Sequence, residues 1–192
     1  CLIVLEVGCL VSMGRLDQVL APFWPSDPVE ADDARELLDC FIVKCNDQNE
    51  LWQGVSLINN GVMLSGLTRD GADATNPVTW AVLDSLERLN MPDPQPAVRL
   101  HDGSPPDLIR EVCRLWRMGR SQIAVFNDDV FVPALEGAGL DPADARDYAI
   151  DACQDVTIFG KSDFYLAGAV RLADLLLQAM AAVPDDADWE TF

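Results

Sequence analysis

The chain has a single histidine, His101, and no Cys-x-x-Cys pair among its six cysteines, Cys1, Cys9, Cys40, Cys45, Cys113 and Cys153. That removes the usual ligand spacings of a zinc site. Basic residues are also scarce, 13 against 32 acidic, for a net charge of −19. Phosphate neutralisation needs a basic surface, so nucleic acid and anionic membrane are excluded as electrostatic partners. No apolar run is long enough to span a membrane. The apolar start, Cys1 to Val11, is short, carries Glu6, and lacks the basic flank and cleavage site of a signal peptide. There is no Gly-x-Gly-x-x-Gly turn, and Gly160-Lys161-Ser162 lacks the upstream glycine of a phosphate loop. Internal repeats and low-complexity segments are missing too.

What is present is a core. Apolar residues make up 49% of 192 positions, enough for one folded domain. The chain begins with Cys1 rather than Met, which reads as a fragment. The acidic runs Asp27–Asp33 and Asp185–Glu190 read as solvated loops. Cys40, Cys45 and Cys113 fall within helix-like patterns, where a free cysteine behaves as a small buried hydrophobe. This usage fits a reducing cytoplasm.

Asp32–Asn46 has helical periodicity, with Leu37, Leu38, Phe41, Ile42 and Cys45 on one face. Leu57–Leu67 is a mixed apolar stretch that ends in the turn Arg69-Asp70-Gly71. Asn76-Pro77 reads as a cap and first-turn proline for a helix to Leu89. Ala97–Leu100 and Ile123–Phe126 read as short buried strands. Between them, Ser104-Pro105 should cap a helix with the stripe Leu108, Ile109, Val112, Leu115 and Trp116, ended by Gly119. Val130–Leu135 and Pro142–Tyr148 read as short helical pieces. Ala149–Cys153 reads as a third strand leading into a loop. Tyr165–Ala182 reads as an apolar closing helix. Strands alternating with helices predict an α/β fold with parallel strands. His101 reads as structural.

Several stretches carry a resemblance when taken in order. They are Ser12-Met13-Gly14-Arg15-Leu16-Asp17-Gln18, Pro22-Phe23 with Asp27, and Glu36-Leu37-Leu38-Asp39-Cys40-Phe41 with Lys44. Asp70-Gly71-Ala72-Asp73-Ala74-Thr75-Asn76, Val98-Arg99-Leu100-His101 and Phe126-Asn127-Asp128 follow. Asp144-Ala145-Arg146-Asp147-Tyr148 and the Cys153 loop with Gly160-Lys161 complete the series. Together they resemble the central part of a glycyl radical enzyme of the pyruvate formate-lyase type. The resemblance implies a ten-stranded α/β barrel with outer helices, of which residues 1–192 would be a partial domain. The N-terminal part and the C-terminal Arg-Val-x-Gly-Tyr radical loop would lie elsewhere, and the piece alone would be inactive.

The resemblance also implies a mechanism. A glycyl radical takes hydrogen from a cysteine, and the resulting thiyl takes hydrogen from a substrate carbon. Cys153 matches that cysteine; on residue type alone the better reading is a buried structural thiol. Asp155 matches the glutamate of the family's Gly-Cys-Val-Glu motif, a general base in dehydratase-like and lyase-like members. It is one methylene shorter, reducing its reach by about 1.5 Å, and its other reading is a loop-capping aspartate. Gln154 excludes the double-cysteine arrangement of pyruvate formate-lyase itself, and with it acyl transfer from pyruvate. Where relatives carry Asn-Gly-His-Ser, this chain has Val7-Gly8-Cys9-Leu10. Cys9, Leu10 and Asn59 are therefore the substrate-binding candidates, in a pocket less polar than one for glycerol.

The implied activity is hydrogen abstraction and elimination on a small molecule, in anaerobic metabolism. The implied partner is a radical S-adenosylmethionine activase carrying an iron–sulfur cluster, and the implied full-length assembly is a homodimer. No metal or organic cofactor is expected on this chain itself. Two other readings are a catalytically degenerate homologue serving as a structural or binding protein, and an unrelated acidic α/β binding module.

Overall fold

The computed structural model describes residues 12–46, 60–119, 123–151, 155–162 and 172–182. The chain divides into two compact units, residues 1–162 and 163–192.

The first unit is built on four parallel strands, β1 (Ser12–Arg15), β2 (Gly61–Ser65), β3 (Gln95–Leu100) and β4 (Ala124–Asn127), side by side in chain order. β1 leads into a short helix, α1 (Leu16–Leu20), and a 3₁₀ turn (Ala21–Phe23). The crossovers contain α2 (Pro28–Asn46), α3 (Pro77–Leu89) and α4 (Pro106–Arg117). Consecutive right-handed crossovers that advance in one direction keep their helices on one face of the sheet. Side-chain alternation agrees. Val62, Leu64 and Val98 point into a core with Leu38, Ile42, Val82, Leu83, Leu108, Val112 and Leu115 of the helices. Met63, Ala97 and Phe126 belong to a second core, with Val132, Ala145, Tyr148, Ala149, Ile150 and Ile158.

That second core is covered by α5 (Asp128–Gly137), α6 (Pro142–Arg146) and an antiparallel pair, β5 (Tyr148–Ile150) with β6 (Val156–Ile158). The expected strand at 149–153 is therefore real as far as Ile150, but it joins this small separate sheet rather than the parallel one. The parallel α/β expectation holds for β1 to β4; the described residues do not form a ten-stranded barrel. The second unit contributes α7 (Leu172–Ala182), which falls within the expected helix at 165–182 and on which Leu175, Leu176, Leu177 and Met180 are exposed. Among the described residues no helix is long and apolar enough to cross a membrane.

Local chemistry explains the element boundaries. Asn76 caps α3 by accepting hydrogen bonds from Val78 N (2.9 Å) and Thr79 N (3.4 Å), and Thr79 Oγ1 accepts one from Asn76 N (3.1 Å). α2 starts four residues earlier than periodicity predicts. Asp27 Oδ1 accepts from Val29 N (2.8 Å) and Pro28 holds the first helical position, so the acidic run Asp27–Asp33 is mostly helix. Ser104 does not cap α4. Its Oγ accepts instead from His101 N (2.9 Å), and Pro105 is the residue before the helix.

Three apolar expectations also fail. Leu37, Ile109 and Trp116 are exposed, so the buried stripes of α2 and α4 are narrower than their apolar patterns. Trp116 still has a role, donating through Nε1 to Ile123 O (3.0 Å). Of the cysteines in helical patterns, Cys45 is buried while Cys40 and Cys113 are exposed. Burial pushes the Cys45 thiol up to about 12.

Candidate functional site

In an open parallel sheet, chemistry collects beyond the carboxyl ends of the strands. Here those ends carry Arg15, Ser65, Arg99 and Asn127-Asp128, and the polar side chains among them form one connected cluster.

Its centre is Arg99, fully buried on the face opposite the crossover helices. Nε donates to Asp128 Oδ1 and Nη2 to Asp128 Oδ2, both at 2.8 Å. The remaining reach goes to backbone, with Nη1 donating to Tyr148 O (2.9 Å) and Nη2 to Arg146 O (2.8 Å). The guanidinium lies 3.9 Å over the Tyr148 ring. Tyr148 OH donates to Asp128 Oδ1 (2.7 Å), and Leu67 N donates to Asp128 Oδ2 (2.8 Å). Burial pushes the Tyr148 hydroxyl well above its ordinary range, so it stays a protonated donor. A buried ion pair must satisfy its remaining donors and acceptors to be tolerated, and this one does.

The end of β2 is bent to allow this. Ser65 and Gly66 both have positive φ, 61° and 86°. A Cβ on Gly66 would lie 2.6 Å from Arg99 Nε and 2.7 Å from Asp128 Oδ2, so only glycine fits. Ser65 is held in its unusual conformation by three partners. Its N–H donates to Asp17 Oδ2 (2.7 Å), its carbonyl accepts from Arg15 Nη2 (2.9 Å), and its hydroxyl pairs with Thr75 Oγ1 (2.7 Å). Thr79 Oγ1 also donates to Asp17 Oδ2 (2.6 Å), which ties the α3 cap to the same cluster. Burial raises the Asp17 pKa despite these bonds and the nearby Arg15 charge. Burial and the charge of Arg99 together lower that of Arg15.

The cluster fastens the β5–β6 pair. Besides the two carbonyls held by Arg99, Arg15 Nη1 donates to Asp147 Oδ1 (3.0 Å), and Ser12 Oγ donates to Ile150 O. A one-residue register shift in β1 includes Gly14, whose φ of 63° and lack of a Cβ admit the Phe159 ring that follows β6. On the outer side Asp144 binds Lys161 and Arg69 (3.0 Å), whose hydrogen bonds, with their charges, hold its carboxyl below the usual range. Lys161 is thus spent on an ion pair, consistent with its failure to fit a phosphate loop.

β5 and β6 are joined by residues 151–155. Asp151, buried, donates its N–H to Asp155 O (2.7 Å), which closes the base of this connection. Cys153 is its middle residue in sequence; residues 152–154 lie outside the described set, as do Cys9, Leu10 and Asn59. Of the predicted site residues only Asp155 is described, with an exposed side chain. Asn60, next to Asn59, is buried and serves backbone: its Nδ2 donates to Cys45 O (3.4 Å) and its carbonyl accepts from Gln95 N (2.8 Å). His101 is paired with Asp73 Oδ1 (3.1 Å) and accepts from Gly103 N (3.1 Å).

Sequence reading gave Arg15, Asp17, Arg99 and Asp128 no role. The signal was available for the last two. Arg99 lies near the end of a short apolar strand and Asp128 follows one, at the carboxyl edge of a parallel sheet; β1, Ser12-Met13-Gly14-Arg15, is too little apolar to mark Arg15 and Asp17.

Comparison with known proteins places this arrangement. The pyruvate formate lyase-like family model matches residues 1–187. Trans-4-hydroxy-L-proline dehydratase of Clostridioides difficile is 30% identical over 179 residues, covering 85% of this chain and 22% of that protein. Isethionate sulfite-lyase of Nitratidesulfovibrio vulgaris is 31% identical over 176 residues, covering 85% and 21%. Among solved structures, the glycerol-bound B12-independent glycerol dehydratase from Clostridium butyricum superposes with a TM-score of 0.71 at 32% identity, covering 79% of this chain and 20% of that one. A glycyl radical enzyme from Archaeoglobus fulgidus gives 0.70 at 31% identity, covering 79% and 21%. The chain spans about a fifth of the length of these relatives. An unrelated binding module is thereby excluded. With the family model running across nearly its whole length, the chain belongs to the pyruvate formate lyase-like family, among glycyl radical dehydratases and lyases.

Proposed function

We propose that this chain is a section of a glycyl radical lyase or dehydratase that acts on a small organic molecule in a reducing cytoplasm. The observation that carries the reading is the family match over residues 1–187, a stretch that contains Cys153. Cys153 would be the hydrogen-abstracting thiol. A glycyl radical in the longer protein, installed by a radical S-adenosylmethionine activase, supplies the unpaired electron.

The steps on this chain balance as follows. The Cys153 sulfur forms an S–H bond as a substrate C–H bond breaks homolytically, leaving the radical on carbon. Asp155 accepts a proton from the hydroxyl or amine that this carbon bears, and the neighbouring group leaves with its bonding electron pair. The product radical recovers a hydrogen atom from Cys153, which regenerates the sulfur radical. Exclusion of water protects these species. Asp155 needs cover from outside the described residues for this role, because its side chain is exposed here. Cys9, Leu10 and Asn59 would line the substrate pocket. Two apolar or weakly polar groups there favour a substrate less polar than glycerol.

The exposure and short reach of Asp155 favour one second reading, a degenerate homologue that retains the fold as a structural or binding protein. Activating the full-length protein anoxically with a radical S-adenosylmethionine activase separates the two. A glycyl radical doublet in the electron paramagnetic resonance spectrum, with product from 1,2-propanediol, glycerol, isethionate or trans-4-hydroxy-L-proline, supports the enzyme. Absence of the doublet with an activase proven on another relative supports the degenerate protein.

A further inference from the structure

We propose that Arg99, Asp128 and Tyr148 are positioning residues for the β5–β6 connection that carries Cys153, setting the rate of hydrogen transfer without touching substrate. The inference rests on the thiyl role of Cys153.

The geometry carries it in three steps. First, among the described residues β5 and β6 share no ladder with the four-stranded sheet, so the backbone pairing described there does not fix the pair's position along the sheet. Side chains must do so. Second, Arg99 is anchored on β3 and holds two carbonyls of the incoming chain, Arg146 O (2.8 Å) and Tyr148 O (2.9 Å). Asp128, at the end of β4, takes the Tyr148 hydroxyl (2.7 Å). The first residue of β5 is thus gripped at its backbone, its ring face and its hydroxyl. All three side chains are fully buried, so water cannot replace a lost partner. Third, the grip is passed on. Two residues beyond Tyr148, β5 ends at Ile150, and Asp151 N is bonded to Asp155 O across the base of the connection that carries Cys153. A slide of β5 moves both legs of that connection together.

Stability alone does not explain the choice of groups. A buried ion pair is commonly no more stabilising than apolar residues of equal volume. What the guanidinium fork adds is direction, because its hydrogen bonds weaken steeply with misalignment. Hydrogen-atom transfer between sulfur and carbon is correspondingly sensitive to donor–acceptor distance.

The test uses the full-length protein, activated anoxically, with whichever of the four probes above it turns over. Tyr148→Phe keeps the ring and removes one hydroxyl. We expect unchanged glycyl radical content, KM within about twofold, and kcat lower by about tenfold, on the scale known for sub-ångström to ångström misplacement. The isotope effect on kcat with substrate deuterated at the abstracted position should rise, because abstraction becomes rate-limiting. Arg99→Lys, which keeps the charge and loses the fork, should act in the same direction and more strongly. A Tyr148→Phe protein with lowered Tm but wild-type kcat and isotope effect overturns the positioning role alone. Wild-type protein that carries the radical yet converts none of the probes overturns the proposed function and this inference with it.

Discussion

Arg99 grips Asp128 through two parallel hydrogen bonds of 2.8 Å, and neither side chain is accessible to solvent. Asp128 accepts two further bonds, from Tyr148 OH and Leu67 N. Removing one partner strands the other as a buried, unpaired charge. Asp128→Ala in the full-length protein should therefore cost about 3–5 kcal/mol, read by denaturant unfolding. Replacing both, as Arg99→Met with Asp128→Leu, should cost much less than the sum of the single changes. Additive costs would show that the two charges do not depend on each other.

Gly66 is the backbone counterpart of that pair. Its φ of 86° alone makes alanine unfavourable by about 1–2 kcal/mol. The added methyl would also meet Arg99 and Asp128 inside van der Waals contact. Gly66→Ala should therefore exceed the backbone penalty, and combined with Asp128→Ala its effect should be less than additive, because the clash is partly relieved.

The α3 cap adjoins the buried cluster, and substitutions at Asn76 report its own share of stability. Asn76→Ala loses two acceptor contacts to the first turn and should cost about 1–2 kcal/mol. Asn76→Asp keeps both and should cost only a small part of that. Equal losses for the two variants would mean that the side-chain amide, through Nδ2 to Ala74 O (3.1 Å), matters more than the cap.

Asp17 gives a pH dependence of defined sign. Burial raises its folded pKa above the ordinary 3.8, outweighing its bonds to Thr79 and Ser65. A raised carboxyl pKa means that the folded state binds the proton more tightly than the unfolded state. Its contribution is fully present below the unfolded value and is lost as pH rises through the folded one. Asp17→Asn keeps an acceptor oxygen and cannot ionise. Relative to wild type, its stability should improve as pH rises from about 3 to about 7. A constant difference across that range, measured by urea unfolding, would show that Asp17 has an unshifted pKa.

The pocket candidates yield a substrate order. On the proposed function, Cys9 and Leu10 would stand where the resemblance puts histidine and serine, so that fewer substrate hydroxyls could be matched. The full-length enzyme should have a higher kcat/KM for 1,2-propanediol than for glycerol, the extra hydroxyl being left without a partner. Restoring polarity with Cys9→His and Leu10→Ser should narrow or reverse that order.

The sequence made the helices and parallel strands legible where local signals were strong. Asn76-Pro77 sets a helix start through its own side chain and ring, so it needs no tertiary context. β3 was legible because a strand buried on both faces is apolar nearly throughout, and β4 because it is a short apolar run, although its Val125 is exposed rather than buried as expected. The start of α2 was missed because Asp27-Pro28, a cap followed by a first-turn proline, sits inside an acidic run that looks like a solvated loop. Leu37 and Trp116 misled because apolar spacing cannot say how wide a face is covered. The positioning cluster was less legible still. Arg15, Asp17, Arg99 and Asp128 are separated by up to 113 positions in the chain, and what joins them is strand order. Cys153 and Asp155 were found through resemblance, since one sulfur and one carboxylate at this spacing have no chemistry of their own without a fold around them.

The central claim is that Cys153 passes the radical to substrate. The direct measurement is Cys153→Ser in the full-length protein, activated anoxically beside wild type and assayed for both radical and product. The serine O–H bond is too strong to take the place of S–H, while the glycine is oxidised without the cysteine's help. The account predicts a glycyl radical doublet of wild-type intensity and no detectable product. Product formation at a comparable rate by Cys153→Ser would contradict it.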